Sequence, residues 1–311
     1  VNVARSSTAT GTTATVKRGR FAPSPTGRLH EGSLLAAVGS YLDARHAGGE
    51  WLVRIEDIDR AREQPGAADD ILRTLDAYGL HWDGPVRYQH TRTEAYRAAL
   101  DTLIETHRAY PCDCDRRAYT PPGHVGEVRY PGRCRDRHPP PTGAVAWRFD
   151  THGGTPVTLM DRSQGSITQD VEAVVGDFVL WRKDGFPAYQ LAVVVDDADQ
   201  GISDVVRGLD LLDNTPRQVC LQQALGLPSP ATLHLPLLLA RHGEKLSKSK
   251  QAVAVEGHDA SATLSRVLSA LRQPLPPDLR TAPPGVQLDW AVRHWDPARL
   301  IGCGAVETEA R

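Results

Sequence analysis

Two short segments carry residue types suited to handling a phosphate. The first, F-A-P-S-P-T-G-R-L-H-E-G-S over residues 21–33, is a Pro/Gly turn that opens into a helix. A glycine at a helix mouth lets a ligand approach the backbone, the free N–H groups of the first turn favour an anion, and His30 can donate to a phosphate oxygen. Taken alone such a turn is more often ordinary, and it is neither a Walker loop nor a G-x-G-x-x-G fingerprint. The second segment is G-E-K-L-S-K-S-K, residues 243–250. The chain has 36 basic residues but only five lysines, and Lys245, Lys248 and Lys250 fall in this one stretch. Where positive charge is otherwise written as arginine, compact flexible ammonium groups suit phosphate chemistry, with a solvated basic loop as the plain alternative.

A third cluster is cysteine-rich. Cys112, Cys114 and Cys134 lie within 23 residues, whereas Cys220 and Cys303 stand alone. A C-x-C pair and a third cysteine across a Pro/Gly loop offer three thiolates to Zn²⁺ and leave a fourth position open, with His124 and His138 the first residues to consider. Reduced thiols without metal, or a redox pair, are the alternatives. A metal here would be structural, because it would close a loop in a segment too small to fold on its own core.

The elements that would position these groups follow from pattern. Residues 18–22 read as a strand, residues 32–47 as a helix stopped by Gly48 and Gly49, and residues 51–55 as a second, buried strand. Strand, turn, helix, strand is a βαβ unit and predicts a parallel sheet with packed helices. Amphipathic helices are expected over 66–78 and 91–107. Beyond residue 111 the chain turns rich in Pro, Gly, Cys and Arg, and A-V-A-W-R-F and V-T-L-M-D-R predict antiparallel strands. The apolar run L-A-V-V-V-D-D, residues 191–197, reads as another buried strand ending in carboxylates. Helices are expected again over 260–271 and 286–294. The 311 residues carry a net charge of −2, which excludes a chain-wide polycation and leaves any nucleic acid to a local basic surface. No apolar run approaches a membrane span and no secretory leader is visible, so a cytoplasmic protein without membrane contact is expected.

In this order the motifs acquire a resemblance. P-S-P-T-G-x-L-H-x-G, followed roughly 200 residues later by K-L-S-K-S, resembles the paired signatures of class I aminoacyl-tRNA synthetases. R-F-A-P-S-P-T-G, W-L-V-R-I-E-D-I-D and Y-x-L-A-V-V-V-D-D are similar to the glutamyl/glutaminyl branch over residues 18–255, and within it to a short paralogue of glutamyl-tRNA synthetase. The resemblance implies an α/β fold: a Rossmann-like parallel sheet from residues 17–108 and 189–255, an inserted acceptor and zinc-binding subdomain over 109–188 and a small helical segment over 256–311; residues 1–16, rich in Ser, Thr, Ala and Gly, read as a disordered tail.

It also implies roles. His30 and Gly32 would sit on ATP, taken with Mg²⁺, the glycine giving the adenine room. Lys248, supported by Lys245, would stabilise charge on the α-phosphate as pyrophosphate leaves. Arg20, Phe21, Ala22, Pro23, Ser24 and Glu56 match the amino-acid pocket, with Glu56 pairing the substrate ammonium. Tyr189 and Arg207 match the side-chain pocket, where an arginine prefers the γ-carboxylate of L-glutamate over a neutral amide. Against these stand plainer roles: Glu56 as a solvated strand end, Tyr189 as a core aromatic, and Arg207 in an ion pair with Asp204 or Asp210. For the metal the resemblance favours Cys112, Cys114, Tyr130 and Cys134.

Two motif positions depart from the pattern, Ser33 and Leu246, and both bear on ATP affinity. After Lys250 there are 61 residues, too few for the helical anticodon-binding domain of a full glutamyl-tRNA synthetase, and none is expected here. As acceptor the resemblance implies the queuosine base of tRNA(Asp), its anticodon stem-loop held by Arg129, Arg133, Arg135 and Arg137, with glutamate activation independent of tRNA and a monomeric enzyme. The competing expectations are a truncated glutamyl-tRNA synthetase charging tRNA(Glu), a nucleotidyltransferase of the same superfamily acting on another small acid, and a non-catalytic zinc-stabilised RNA-binding module.

Overall fold

The computed structural model describes residues 16–121, 128–141, 143–239, 255 and 259–307. The expected tail through residue 15, His124, and the lysine-bearing segment with Lys245, Leu246, Lys248 and Lys250 lie outside the described residues. No described helix is long and apolar enough to cross a membrane.

The first unit is the predicted βαβ. Strand β1 (Arg18–Phe21) leads through the Pro/Gly turn to helix α1 (Glu31–His46), and β2 (Glu50–Ile55) returns parallel to β1 with Arg18 opposite Glu50 and Phe21 opposite Val53. Helix α2 (Ala67–Ala77) precedes β3 (Arg87–Tyr88), which extends the parallel sheet beyond β2. Leu34, Val38, Leu42, Trp51 and Val53 are buried in the core between α1 and the sheet.

After α3 (Thr93–Glu105) the antiparallel pieces appear as predicted. Strand β4 (Ala109–Cys112) pairs with β5 (Ala146–Phe149), and β6 (Val157–Asp161) forms a hairpin with β7 (Gly165–Gln169). The short helix α4 (Val171–Val174) leads into β8 (Val179–Trp181), which pairs antiparallel with β5.

Residues 191–197 are not the expected strand. They form helix α5 (Tyr189–Asp199), packed between α3, β8 and the later α6. Leu191, Ala192, Val193, Val194, Asp196 and Asp197 are all buried in it. A helix enclosed on nearly every side loses the 3.6-residue alternation that distinguishes it from a buried strand, and the apolar run then looks like either.

Strand β9 (Asp204–Gly208) follows and lies beside β1, with Ser203 N–H donating to Arg18 O at 3.0 Å. Helix α6 (Thr215–Leu225) leads to β10 (Ala231–Leu235), parallel to β9 over its whole length. On its other side β10 takes in β6: Arg162 N–H donates to Thr232 O at 2.9 Å. The row therefore runs β7-β6-β10-β9. Helix α1 comes so close to β10 that a Cβ at Gly39 would stand 2.5 Å from Leu235 Cδ1, which explains the glycine inside a helix. Strand β11 (Leu237–Leu239), helices α7 (Ala260–Ala270) and α8 (Pro284–Arg293) and strand β12 (Ala305–Glu307) complete the chain, the two helices against α1 and β12 parallel to β11.

Candidate active site and cysteine cluster

A cleft of about 610 Å³ opens where β1, β2 and β9 end. Carboxyl ends of parallel strands are where open α/β sheets hold ligands. Arg20 to Ser24 line it from the end of β1, Glu56 from just beyond β2, Tyr189 from the first turn of α5, Arg207 from β9, and His30 with Gly32 from the mouth of α1. All the described residues expected on ATP and amino acid thus meet in one cavity. Tyr189 is 36 % exposed on the cleft wall, not a core aromatic.

His30 is the N-cap of α1, its Nδ1 accepting from Ser33 N at 3.1 Å while Ser33 Oγ lies 3.1 Å from Nε2. Nδ1 must carry the lone pair, so Nε2 carries the proton, while Ser33 Oγ, 3.5 Å from Nδ1, sits beside the ring between the two nitrogens and off the line of the Nε2–H. Burial pushes the His30 pKa down against the pull of Asp210, which keeps the ring neutral at physiological pH. A Cβ on Gly32 would meet the imidazole at 3.1 Å. The glycine therefore leaves room for the histidine itself as well as for a ligand.

The floor is an ionic network that the sequence did not reveal. Arg54, fully buried within β2, donates to Asp197 at 2.8 Å, to Gln200 at 2.8 Å and to Glu56 at 3.3 Å. Arg20 reaches Asp197 from the other side at 3.1 and 3.3 Å. Asp196 accepts from Gln89 at 2.9 Å and from the Tyr96 hydroxyl at 2.7 Å. Burial raises the Glu56 pKa, and the Coulomb attraction of Arg54 and Arg20 opposes it. A carboxylate so placed gains when a substrate cation arrives. Glu56 is mostly enclosed, its side chain only 9 % exposed, and so is not a solvated strand end.

Arg207 is 4 % exposed, and its hydrogen bonds go to neutral partners, His234 Nε2 at 3.2 Å and Thr215 Oγ1 at 2.8 Å. Asp204 is engaged elsewhere, by Lys17 at 3.2 Å and Arg162 at 3.5 Å. Nη1 of Arg207 is buried without a hydrogen-bond partner among the described residues. Burial lowers the guanidinium pKa, with Tyr189 pulling the other way. A buried cation with a free donor on a cleft wall is a receptor for an anion.

Away from the cleft, the sulfurs of Cys112, Cys114 and Cys134 lie within 4.8 Å of one another. The Tyr130 hydroxyl joins them, 3.3 Å from Cys112 Sγ and 3.5 Å from Cys114 Sγ. Its ring is buried under the guanidinium of Arg148, 3.8 Å from the centroid, and Arg148 Nε donates to Cys112 Sγ at 3.2 Å. Three sulfurs, one oxygen and a neighbouring cation that offsets thiolate charge suit a tetrahedral Zn²⁺. His138 is exposed and is not among the described metal-capable group. Burial and hydrogen bonds with the three cysteines push the Tyr130 phenol well above its usual range, so a metal would have to displace that proton.

The sequence matches the family model of class I tRNA synthetases (E and Q), catalytic domain, over residues 16–264. A glutamyl-Q tRNA(Asp) synthetase of Thiobacillus denitrificans is 53 % identical over 279 residues, covering 89 % of this chain and 92 % of that protein. This chain belongs to the glutamyl-Q tRNA(Asp) synthetase family. A family member of Pseudomonas aeruginosa is 48 % identical over 94 % of this chain and 97 % of its own. Among solved structures, a glutamate tRNA ligase of Elizabethkingia meningosepticum in complex with its amino acid superimposes with a TM-score of 0.78 at 26 % identity, covering 94 % of this chain and 67 % of that one. The chain is an aminoacyl-tRNA synthetase-like ligase with the class I α/β fold.

Sequence reasoning missed Arg54, Asp161 and His234. Arg54 left a signal, a charge inside the apolar run W-L-V-R-I. The arginines expected to hold RNA are partly committed inside the protein. Arg135 bridges Asp150 at 2.8 Å and Asp177 at 2.7 Å, Arg137 grips Asp113 at 2.7 Å, and Arg129 donates to Glu172 O at 2.7 Å.

Proposed function

We propose that this chain activates L-glutamate with ATP, without requiring tRNA, and transfers the glutamyl group to the queuosine base of tRNA(Asp). The observation that carries the amino-acid choice is the unpartnered Nη1 of buried Arg207 in the same cleft as buried Glu56. Glutamate offers a γ-carboxylate to the first and an ammonium to the second. Glutamine would leave the Arg207 charge buried and uncompensated.

ATP and its Mg²⁺ occupy the mouth of α1. There the helix N-terminus and the Nε2–H of His30 serve the phosphates, and Lys248 offsets charge on the α-phosphate as the mixed anhydride forms. A cyclopentene-diol hydroxyl of queuosine then attacks the glutamyl carbonyl and forms an ester, with AMP as leaving group. Cys112, Cys114, Tyr130 and Cys134 hold a structural Zn²⁺ in the segment read as an insertion, which presents the anticodon stem-loop to the cleft. The substrates are those of the cytoplasm, where we place the enzyme.

The test is glutamate transfer measured in parallel on queuosine-containing tRNA(Asp), unmodified tRNA(Asp) and tRNA(Glu), beside ATP–pyrophosphate exchange without tRNA. Product confined to the first tRNA, with exchange in its absence, is the expected result. Charging of unmodified tRNA(Glu), or exchange only after tRNA is added, would overturn the proposal.

A further inference from the structure

Behind Arg207 lie two buried side chains with no part in the reaction as proposed. His234 on β10 and Asp161 on β6 have side chains wholly out of solvent, with His234 Nδ1 2.6 Å from Asp161 Oδ2. Asp161 Oδ1 accepts from Ser163 N and Gln164 N, each at 3.0 Å, and from the Ser163 hydroxyl at 2.9 Å. Burial would raise this carboxyl, but the bond from His234 and these backbone donors hold it well below the usual carboxylate range. It is an anion that only accepts.

The other edge of the His234 ring faces Arg207, Nε2 lying 3.2 Å from Arg207 Nε. A guanidinium N–H always donates, so Nε2 must present its lone pair. The ring proton then sits on Nδ1, toward Asp161, and one tautomer satisfies both contacts. Burial lowers the His234 pKa although Asp161 pulls it up, so the ring is neutral at physiological pH. Thr215 Oγ1 takes Arg207 Nη2 at 2.8 Å. With Nε and Nη2 held, Nη1 is the nitrogen left without a hydrogen-bond partner among the described residues.

We propose that Asp161 and His234 are positioning residues: they fix the edge of the Arg207 guanidinium so that Nη1 meets the substrate side chain, and thereby set the preference for glutamate over glutamine. The inference rests on the reading of Arg207 as the receptor of the γ-carboxylate. An arginine on a flexible stem can swing between a carboxylate and an amide, whereas one tied at two nitrogens cannot follow the weaker ligand. Asp161→Asn places an amide at Nδ1 and permits the other tautomer. Nε2–H would then confront Arg207 Nε–H, donor against donor.

The experiment pairs exchange kinetics with a direct reading of the tautomer. In Asp161→Asn the KM for glutamate should rise about 10- to 100-fold and the glutamate-to-glutamine ratio should fall by a similar factor, with the KM for ATP unchanged. His234→Gln, whose Oε1 can stand in for the Nε2 lone pair, should stay near the parent. His234→Leu should behave like Asp161→Asn. In the parent protein the imidazole ¹⁵N shifts should show His234 protonated on Nδ1 alone. A folded Asp161→Asn protein with unchanged glutamate KM and unchanged discrimination would overturn the proposal, as would an Nε2–H or doubly protonated His234. Should Asp161→Asn not fold, the ¹⁵N spectrum of the parent decides. A parent protein that exchanges no glutamate would instead refute the reading of Arg207, and the spectrum would still judge the relay.

Discussion

Replacing Arg207 by glutamine probes the proposed amino-acid pocket most directly. The guanidinium is 4 % exposed, tied at Nε and Nη2, and unpartnered at Nη1. In the variant the γ-carboxylate of a bound glutamate would be buried against a neutral amide. Removing one partner of a buried charge pair costs about 3–5 kcal/mol. At about 1.4 kcal/mol per factor of ten, kcat/KM for glutamate should fall by roughly two to four orders of magnitude. Two opposing effects act on the free protein. The hydrogen bonds to His234 and Thr215 are lost, at about 1–3 kcal/mol, but a buried charge without a counter-ion disappears as well. The melting temperature should therefore move little while activation collapses, and the preference over glutamine should shrink toward unity. Pyrophosphate exchange with each amino acid, alongside thermal melts, measures both quantities. A variant within tenfold of the parent in kcat/KM for glutamate would show that Arg207 does not receive the γ-carboxylate. So would a loss expressed equally in the KM for ATP.

Two further outcomes are expected. Elemental analysis should find one zinc per chain, and chelation or Cys134→Ser should lower the melting temperature by several degrees with the glutamate KM nearly unchanged; metal-free protein that melts where the loaded protein does would refute a structural metal. Asp43 is buried, and against that burial the hydrogen bonds from Arg162 at 2.7 Å and Lys17 at 2.8 Å hold its pKa below the ordinary value. Its contribution is present above the ordinary carboxylate pKa and is lost as pH falls through the lowered one. Asp43→Asn should thus destabilise the protein at neutral pH by about 3 kcal/mol and flatten the decline below about pH 4, and parallel urea-melt curves for the two proteins across that range would contradict it.

The parts of the molecule legible in sequence are those where side-chain type and local geometry coincide. The turn after β1 declared itself by proline and glycine, α1 by its period, and the cysteine cluster by the rarity of cysteine. What escaped is long-range pairing. Residues 191–197, which fold as a helix, read as a strand because a fully enclosed helix carries no polar stripe, and Asp196 and Asp197 face not water but Arg54, Arg20, Gln89 and Tyr96. His234 sits in L-H-L-P-L, where nothing nearby in sequence gives it a partner, because that partner is 73 residues earlier. Ser33, a departure from the family motif on paper, turns out to hold the ring of His30 through its backbone N–H, with its hydroxyl beside the ring.

The pairing of β6 with β10 bears on how such a chain can be recombined. Read linearly, residues 109–188 are a cassette that could be exchanged between relatives at two junctions. Yet β6 pairs with β10 in the β7-β6-β10-β9 sheet, and through Asp161 it supplies the anion behind His234 and Arg207. A graft that matched both junctions but brought a neutral residue to position 161 would leave His234 without its anchor. On the function proposed here, the boundary between what would present the acceptor and what would select the amino acid runs through the middle of that cassette, between its cysteine-bearing half and its second hairpin.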